Sequence, residues 1–330
     1  MPDGGLGGEA PILGGELTAE AGSEERQAPA APYDARADAY VEPKPDASEN
    51  GDAPADDLAA TDLLPAPDPA RNVDDWGRSE RVVSMFDPLL GFYYDRWFRV
   101  EHEGIENVPS EGGALLVSNH SGALPPDAPM IMTAIRRDHP NPRPVYMLAE
   151  HWFKGYPAVG MLANKMGAIP AHRENAQRLL RDEGKLALVF PEGQKGTRKV
   201  LWQKYKLRRF GRGGFVRTAI RAGVPIVPIA VVGAEEAMPI FAHMRTLQRL
   251  TGLIYAPLNH AFPWFGPLAG AMYLPAKFKI RFLEPIDMSG YPAETVEDAA
   301  EIQMISERIR ARIATELEEM LGERKSVWLG

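Results

Sequence analysis

The chain has 330 residues, 45% of them hydrophobic, and no cysteine, which allows one large domain or two small ones and excludes disulfide frameworks and thiol catalysis. Its formal charge of −8 is unevenly spread: residues 1–75 hold 18 Asp and Glu against 4 Lys and Arg, and the remainder is net basic, with 33 Lys and Arg against 27 Asp and Glu. The start has neither a basic region nor an apolar core, so no secretory signal is expected, and no uninterrupted run of 18 apolar residues predicts an ordinary membrane-spanning helix.

The first 75 residues are rich in Ala, Pro, Gly, Asp and Glu and lack apolar periodicity. They cannot bury enough surface to offset the entropy of ordering, so residues 1–75 are expected to form a disordered acidic tail before a folded domain at 76–330. Between residues 78 and 98, Val82, Met85, Phe86, Leu89, Leu90, Tyr93 and Trp97 recur at helical spacing, with Pro88 as a kink. That predicts an amphipathic helix whose aromatic side either packs on the domain or lies in a bilayer interface.

A short alternating strand at 99–104 and a continuous apolar strand at 114–117 come next, and a helix begins near Pro126. A strand at 145–148, helices at about 157–165 and 175–183, a strand at 186–190, a helix at 214–222 and a strand at 226–232 follow. Strands alternate with helices throughout, which argues an α/β sheet covered on both faces. Residues 253–275 are apolar and aromatic but broken by Pro257, Pro263, Gly266 and Pro267, so they read as a lid over a greasy site, a membrane-dipping loop or core packing. The chain closes with a strand at 277–283 and an amphipathic helix carrying Ile302, Ile305, Ile309, Ile313 and Leu317.

The strand at 114–117 runs into Ser118-Asn119-His120, a Gly/Pro turn and Asp127, which opens the next helix. An imidazole oriented by a carboxylate is a general base, and it needs a hydroxyl or similar group from which to take a proton. Asn119-His120 with Asp127, residues 167–173, Phe190-Pro191-Glu192-Gly193 and residues 224–229 stand in the order of the four motifs of the glycerolipid acyltransferases, and the chain from about 100 to 283 resembles that family. The resemblance implies a single mixed sheet flanked by helices. It also implies transfer of a fatty acyl group from acyl-CoA or an acyl-carrier protein, as co-substrate and with no other cofactor, to a hydroxyl of a lysophosphatidate-like lipid. In it His120 is the base, Asp127 its partner, and Arg173, Glu192, Gly193 and Lys195 bind the acceptor. Backbone N–H groups at Ser121 or Gly122 would steady the oxyanion.

Two departures bear on the acceptor. Six residues separate His120 from Asp127 where family members usually have four, and Gln194-Lys195 stands where relatives often carry Thr-Arg. The first partly resembles a His-Gly-x-x-Pro-x-Asp variant of relatives that acylate neutral acceptors, such as diacylglycerol or long-chain alcohols. Residues 224–229 are a buried strand to which the resemblance adds a part in shaping an acyl tunnel.

Between Gly193 and Ala234 there are ten Lys and Arg and no Asp or Glu. So dense a run calls for wide solvation or an anionic partner: the phosphates of donor or acceptor, an anionic membrane surface, or the chain's own acidic tail. Nucleic acid is not expected, since no recognition motif accompanies the run. The remaining histidines have no metal-ligand spacing, so no metal is expected, and a serine hydrolase is disfavoured by the lack of a Gly-x-Ser-x-Gly elbow. The expected place is the cytoplasmic side of a membrane, peripheral or monotopic. The rival reading is a non-catalytic lipid-binding module at the membrane surface.

Overall fold

The computed structural model describes residues 72–330 apart from 123, 150–156, 252–256 and 266–271. The expected disordered tail therefore lies, up to residue 71, outside the described residues. Its last acids belong to the domain instead. Asp74 accepts hydrogen bonds from the backbone N–H groups of Trp76 and Arg78 and from the Tyr146 hydroxyl, and Asp75 pairs with Arg178.

The described strands are β1 Glu101–Glu103, β2 Ala114–Ser118, β3 Val145–Ala149, β4 Ala168–Pro170, β5 Leu186–Val189, β6 Ile226–Val232, β7 Ala242–His243, β8 Pro257–Leu258 and β9 Lys279–Phe282. Seven of them make one sheet in the order β1-β9-β6-β2-β5-β3-β4. From β6 to β4 the neighbours are parallel, whereas β9 is antiparallel to β6 and holds β1 parallel to itself, so the sheet is mixed. The sequence reading missed the separate antiparallel pair of β7 and β8, each only two residues long.

The described helices are α1 Glu80–Gly91, α2 Asp127–Asp138, α3 Pro157–Lys165, α4 Arg173–Gln177, α5 Gln194–Thr197, α6 Gly214–Ala222, α7 Ala234–Ala237, α8 Arg245–Thr251 and α9 Ala299–Glu323. They explain why the central strands β2, β5 and β6 are apolar at every position but Ser118, since both faces of the sheet are covered. Leu115, Val117, Ile226 and Ala230 join one core with α6 and α9. Ala114, Leu116, Val227 and Ile229 join the other with α2. On α9 the isoleucines at 302, 305, 309 and 313 and Leu317 form one buried stripe, and Asp298 caps the helix by accepting from the N–H groups of Ala300 and Glu301.

Three elements differ from expectation. The helix expected over 78–98 is α1 followed by a π-helical turn at Phe92–Trp97. Its core-facing side is carried by Val83 and Tyr94, while Met85, Leu89 and Phe92 point to solvent. The helix expected at 175–183 is the short α4 followed by a π-helical turn at Arg178–Asp182, which buries Leu179 and Leu180. Of the lid or membrane-dipping loop expected at 253–275, residues 253–256 and 266–271 lie outside the described residues. The described part starts with β8 and leaves Trp264 and Phe265 exposed. Among the described residues no helix is long and apolar enough to cross a membrane.

Ile309 sits at the middle of the α9 stripe with 1% of its surface exposed. Ile309→Ala is expected to lower the unfolding free energy in urea by roughly 2–5 kcal/mol. Met304→Ala, on the solvent side of the same helix, is expected to stay within about 0.5 kcal/mol of wild type.

Candidate active site

Parallel strands deliver their C-terminal ends to one edge of a sheet, and open α/β sheets place ligands there. His120 follows β2, Glu192 and Gly193 follow β5, and Arg173 follows β4, so three of the four sequence motifs meet this edge. The fourth, residues 224–229, leads into β6 beside β2.

Each side chain at the edge has a local cause for its position. The Asn119 side chain donates to the Val231 carbonyl at 3.0 Å and accepts the Val231 N–H at 2.8 Å, which extends the β2–β6 pairing up to the residue before His120. Asp127 is fully buried in the first turn of α2, where the helix dipole favours its charge. Its Oδ2 lies 3.0 Å from His120 Nδ1 and accepts the Ser121 N–H at 3.0 Å and the Ser121 hydroxyl at 3.2 Å. Its Oδ1 accepts the Ala128 N–H at 2.8 Å. The carboxylate holds the imidazole proton on Nδ1 and leaves Nε2 as the basic nitrogen. The His120 ring stacks on Phe190 with centroids 4.1 Å apart, so its plane is set as well.

The six-residue spacing therefore still closes the His–Asp pair, the extra length being taken up between Ser121 and Pro126. Because the Ser121 N–H is bound to Asp127, Ser121 is withdrawn as an oxyanion donor, and Gly122 remains of the two expected.

Glu192 is the second buried carboxylate. Its Oε1 accepts the His120 N–H at 3.0 Å, and its Oε2 accepts the Arg208 N–H at 2.8 Å and lies 3.4 Å from Lys199 Nζ. Lys199 Nζ also donates to Glu235 Oε1 at 2.7 Å, and Glu235 Oε2 accepts the Tyr205 N–H at 3.0 Å. Gly193 has φ 54° and ψ −147°, a region open to glycine alone. Lys195 is exposed on α5, next to the residue that touches His120. Arg173 is also exposed, but β4 is three strands from β2, so it stands roughly 14 Å to the side. The structure thus joins His120, Asp127 and Glu192, keeps Gly193 and Lys195 beside them, and sets Arg173 apart.

Sequence reasoning missed three residues. A methyl group on Gly196 would stand 2.9 Å from the Cβ atoms of both His120 and Glu192, so only glycine lets α5 lie against the site. The signal was the second glycine of Gly193-Gln194-Lys195-Gly196. Lys199 was one cation among ten, and Glu235 lies 36 residues beyond it, too far for any spacing rule.

The basic run is also less in need of an outside anion than its composition suggested. Lys199 is paired with Glu192 and Glu235, Lys204 with Glu236, and Arg221 with Glu297, while Arg217 donates to the Val296 and Arg212 carbonyls. A mainly apolar cavity of about 400 Å³ is lined by Val83, Leu90, Ala128, Met132, Val145 and Met147, with Arg78, Glu80, Arg136 and Arg143 also on its walls. Its walls come from α1, α2, α3, β3, the residues just before β3 and the start of β4, and not from residues 224–229. Among the described residues no group of three or more His, Asp or Glu side chains could hold a metal ion.

The family model Acyltransferase matches residues 99–232, the span from β1 to the end of β6. The chain belongs to the acyltransferase family, as the resemblance of its motifs implied. It is 39% identical over 260 residues to the uncharacterized protein Rv0502 of Mycobacterium tuberculosis, covering 78% of this chain and 72% of that one. It is 28% identical to the "DGAT1/2-independent enzyme synthesizing storage lipids" of Gallus gallus, over 64% of this chain and 58% of that one. The crystal structure of the 1-acyl-sn-glycerophosphate (LPA) acyltransferase PlsC from Thermotoga maritima aligns with a TM-score of 0.47 at 19% identity, over 74% of this chain and 80% of that one.

Burial pushes the Glu235 carboxyl up to about 7 from its ordinary 4.5, against the pull of Lys199 and with help from the Glu192 charge. Between those two values the folded chain holds a proton that the unfolded chain has released, so stability falls as pH rises through this window. Wild type is expected to lose unfolding free energy relative to Glu235→Gln as urea titrations move from pH 4.5 to 7, with no further change in the gap above that range.

Proposed function

We propose that the protein moves a fatty acyl group from a thioester, acyl-CoA or acyl-carrier protein, to a hydroxyl of a glycerol-based lipid such as lysophosphatidate. The observation that carries this reading is the buried Asp127 carboxylate on His120 Nδ1, at the sheet edge where the family motifs meet. His120 Nε2 takes the hydroxyl proton as the oxygen attacks the thioester carbonyl. Asp127 stabilises the imidazolium, the C–S bond breaks, and the imidazolium returns the proton to the leaving thiolate. The reading asks for no cofactor beyond the thioester. The mainly apolar cavity lined by Ala128 and Met132 of α2 is suited to an alkyl chain. Lys195 is the cation assigned to an acceptor phosphate, and Arg173 serves a partner long enough to reach the end of β4.

A neutral acceptor is the second reading, and a specific feature favours it. Lys199, the cation next to Glu192, is buried and balanced inside the protein, which leaves less positive charge for a phosphate. The storage-lipid name of the Gallus gallus relative points the same way.

The test is transfer of label from radiolabelled acyl-CoA or acyl-carrier protein to lysophosphatidate, other lysophospholipids, diacylglycerol and long-chain alcohol in liposomes. Wild type is expected to give labelled lipid, and His120→Ala to reduce the rate by about 10²–10⁴-fold. Lysophosphatidate as the sole acceptor supports the first reading, and diacylglycerol or alcohol the second. No product with either donor, together with tight liposome binding, would replace both by the non-catalytic lipid-surface module.

We further infer a peripheral seat on an anionic bilayer. Met85, Leu89 and Phe92 are exposed along one side of α1 and its π-helical turn, with exposed Arg81 and Arg96 at the two ends of the stripe. Phe92 touches Tyr93, which meets Tyr273 beside the exposed Met272, so the apolar surface continues past the helix. An apolar stripe ended by cations suits an interface with anionic lipid. Replacing Met85, Leu89 and Phe92 together by Ser is expected to weaken flotation with anionic liposomes by about tenfold or more. Unchanged flotation with an unchanged fold would refute this seat.

A further inference from the structure

Two buried carboxylates and one buried ammonium are costly to hold away from water unless their geometry is close and their remaining valences are filled. Here the side chains of Glu192, Lys199 and Glu235 have at most 5% of their surface exposed. Among the described residues, the side-chain hydrogen bonds that leave the cluster go to backbone N–H groups. Glu192 takes those of His120 and Arg208, and Glu235 takes that of Tyr205. Both oxygens of Glu192 already have protein partners, so its carboxylate fixes the chain at His120 instead of presenting itself to a ligand.

A single lysine serves both acids. Lys199 Nζ lies 2.7 Å from Glu235 and 3.4 Å from Glu192, so it neutralises Glu192 while being held from behind by Glu235. Glu235 itself is fixed at the start of α7, directly after β6, the strand to which Asn119 binds. The next residue, Glu236, is anchored separately by Lys204, Arg324 and the Tyr205 hydroxyl. The charged groups around Glu235 are therefore Lys199 and Glu192, with the Glu236 group adjoining.

We propose that Lys199 and Glu235 are positioning residues for His120: they hold the Glu192 side chain in place, and Glu192 in turn fixes the backbone N–H groups of His120 and Arg208. This deepens the acyl-transfer reading and rests on it for the kinetic effect alone. Removing Lys199 leaves two buried carboxylates facing each other unpaired. Glu192 then loses its aim, and the His120 N–H loses its acceptor.

The test follows amide hydrogen exchange at His120 in the full chain at pH 8, above the value of about 7 at which Glu235 gives up its proton, with Leu115 and Leu116 of β2 as internal reference, in wild type, Lys199→Met and Glu235→Gln. The isosteric Glu235→Gln keeps an oxygen for the Tyr205 N–H and so retains the fold if Lys199→Met does not. Both variants are expected to speed exchange at His120 by about tenfold or more without change at the reference amides. In the acyl-transfer assay kcat is expected to fall by about tenfold while KM for the donor stays within about twofold. Unchanged exchange at His120 overturns the proposal, as does a uniform rise at all three amides, which would mean general destabilisation. If wild type transfers no acyl group, the acyl-transfer reading fails on its own, and the exchange at His120 still decides whether the cluster positions it.

Discussion

A carboxylate taken out of water must find donors within the protein or give up its charge. Asp127 finds four: the His120 ring, the backbone and hydroxyl of Ser121, and the N–H of Ala128. Three of these lie at the far end of the loop that precedes it, so the same carboxylate that orients the imidazole also closes the turn from β2 into α2. The entropy of closing a loop grows slowly with length, which is why two residues more than the usual spacing leave the pair intact. The reactive geometry is set by where α2 starts and where β2 ends, and both are buried in the core.

The sheet supplies the rest of the constraint. Parallel pairing of β2 with β5 and β6 brings the end of one motif against the beginning of another, and the side chains just past the strands convert that closeness into fixed geometry. Asn119 continues the ladder onto Val231, Glu192 reaches back to the His120 N–H, and Phe190 stacks on its ring. Gly196 makes room for this crowding, since any side chain there would displace His120 or Glu192. Function and packing meet at these positions, because the base can be rigid only if its neighbours are.

Much of this was legible in the sequence. The bounds of α6 and β6 agree with the reading from pattern alone, and β2 and β5 were visible as continuous apolar runs because both of their faces are buried. The His120–Asp127 pair was legible because both residues sit at element ends that punctuation by Gly and Pro makes visible. Lys199 and Glu235 were not, since a buried ion pair between distant segments leaves no periodic trace, and a cation in a basic run looks solvated. The outward stripe of α1 was left open between core and surface for a related reason. Apolar residues lie on both sides of that helix, and periodicity cannot say which side meets the core. The acidic partners of the basic run lie outside it, Glu192 just before its start and Glu235, Glu236 and Glu297 beyond its end, so composition overstated its free charge.

The central claim is that His120 and Asp127 act as one base. A double-mutant cycle on acyl transfer, comparing His120→Ala, Asp127→Asn and the two together, tests it most directly. If the pair is one unit, the double variant is no slower than His120→Ala alone, because an aspartate with no imidazole to orient contributes nothing further. If the two losses multiply, Asp127 acts independently of His120, and the account of the site given by its geometry is contradicted.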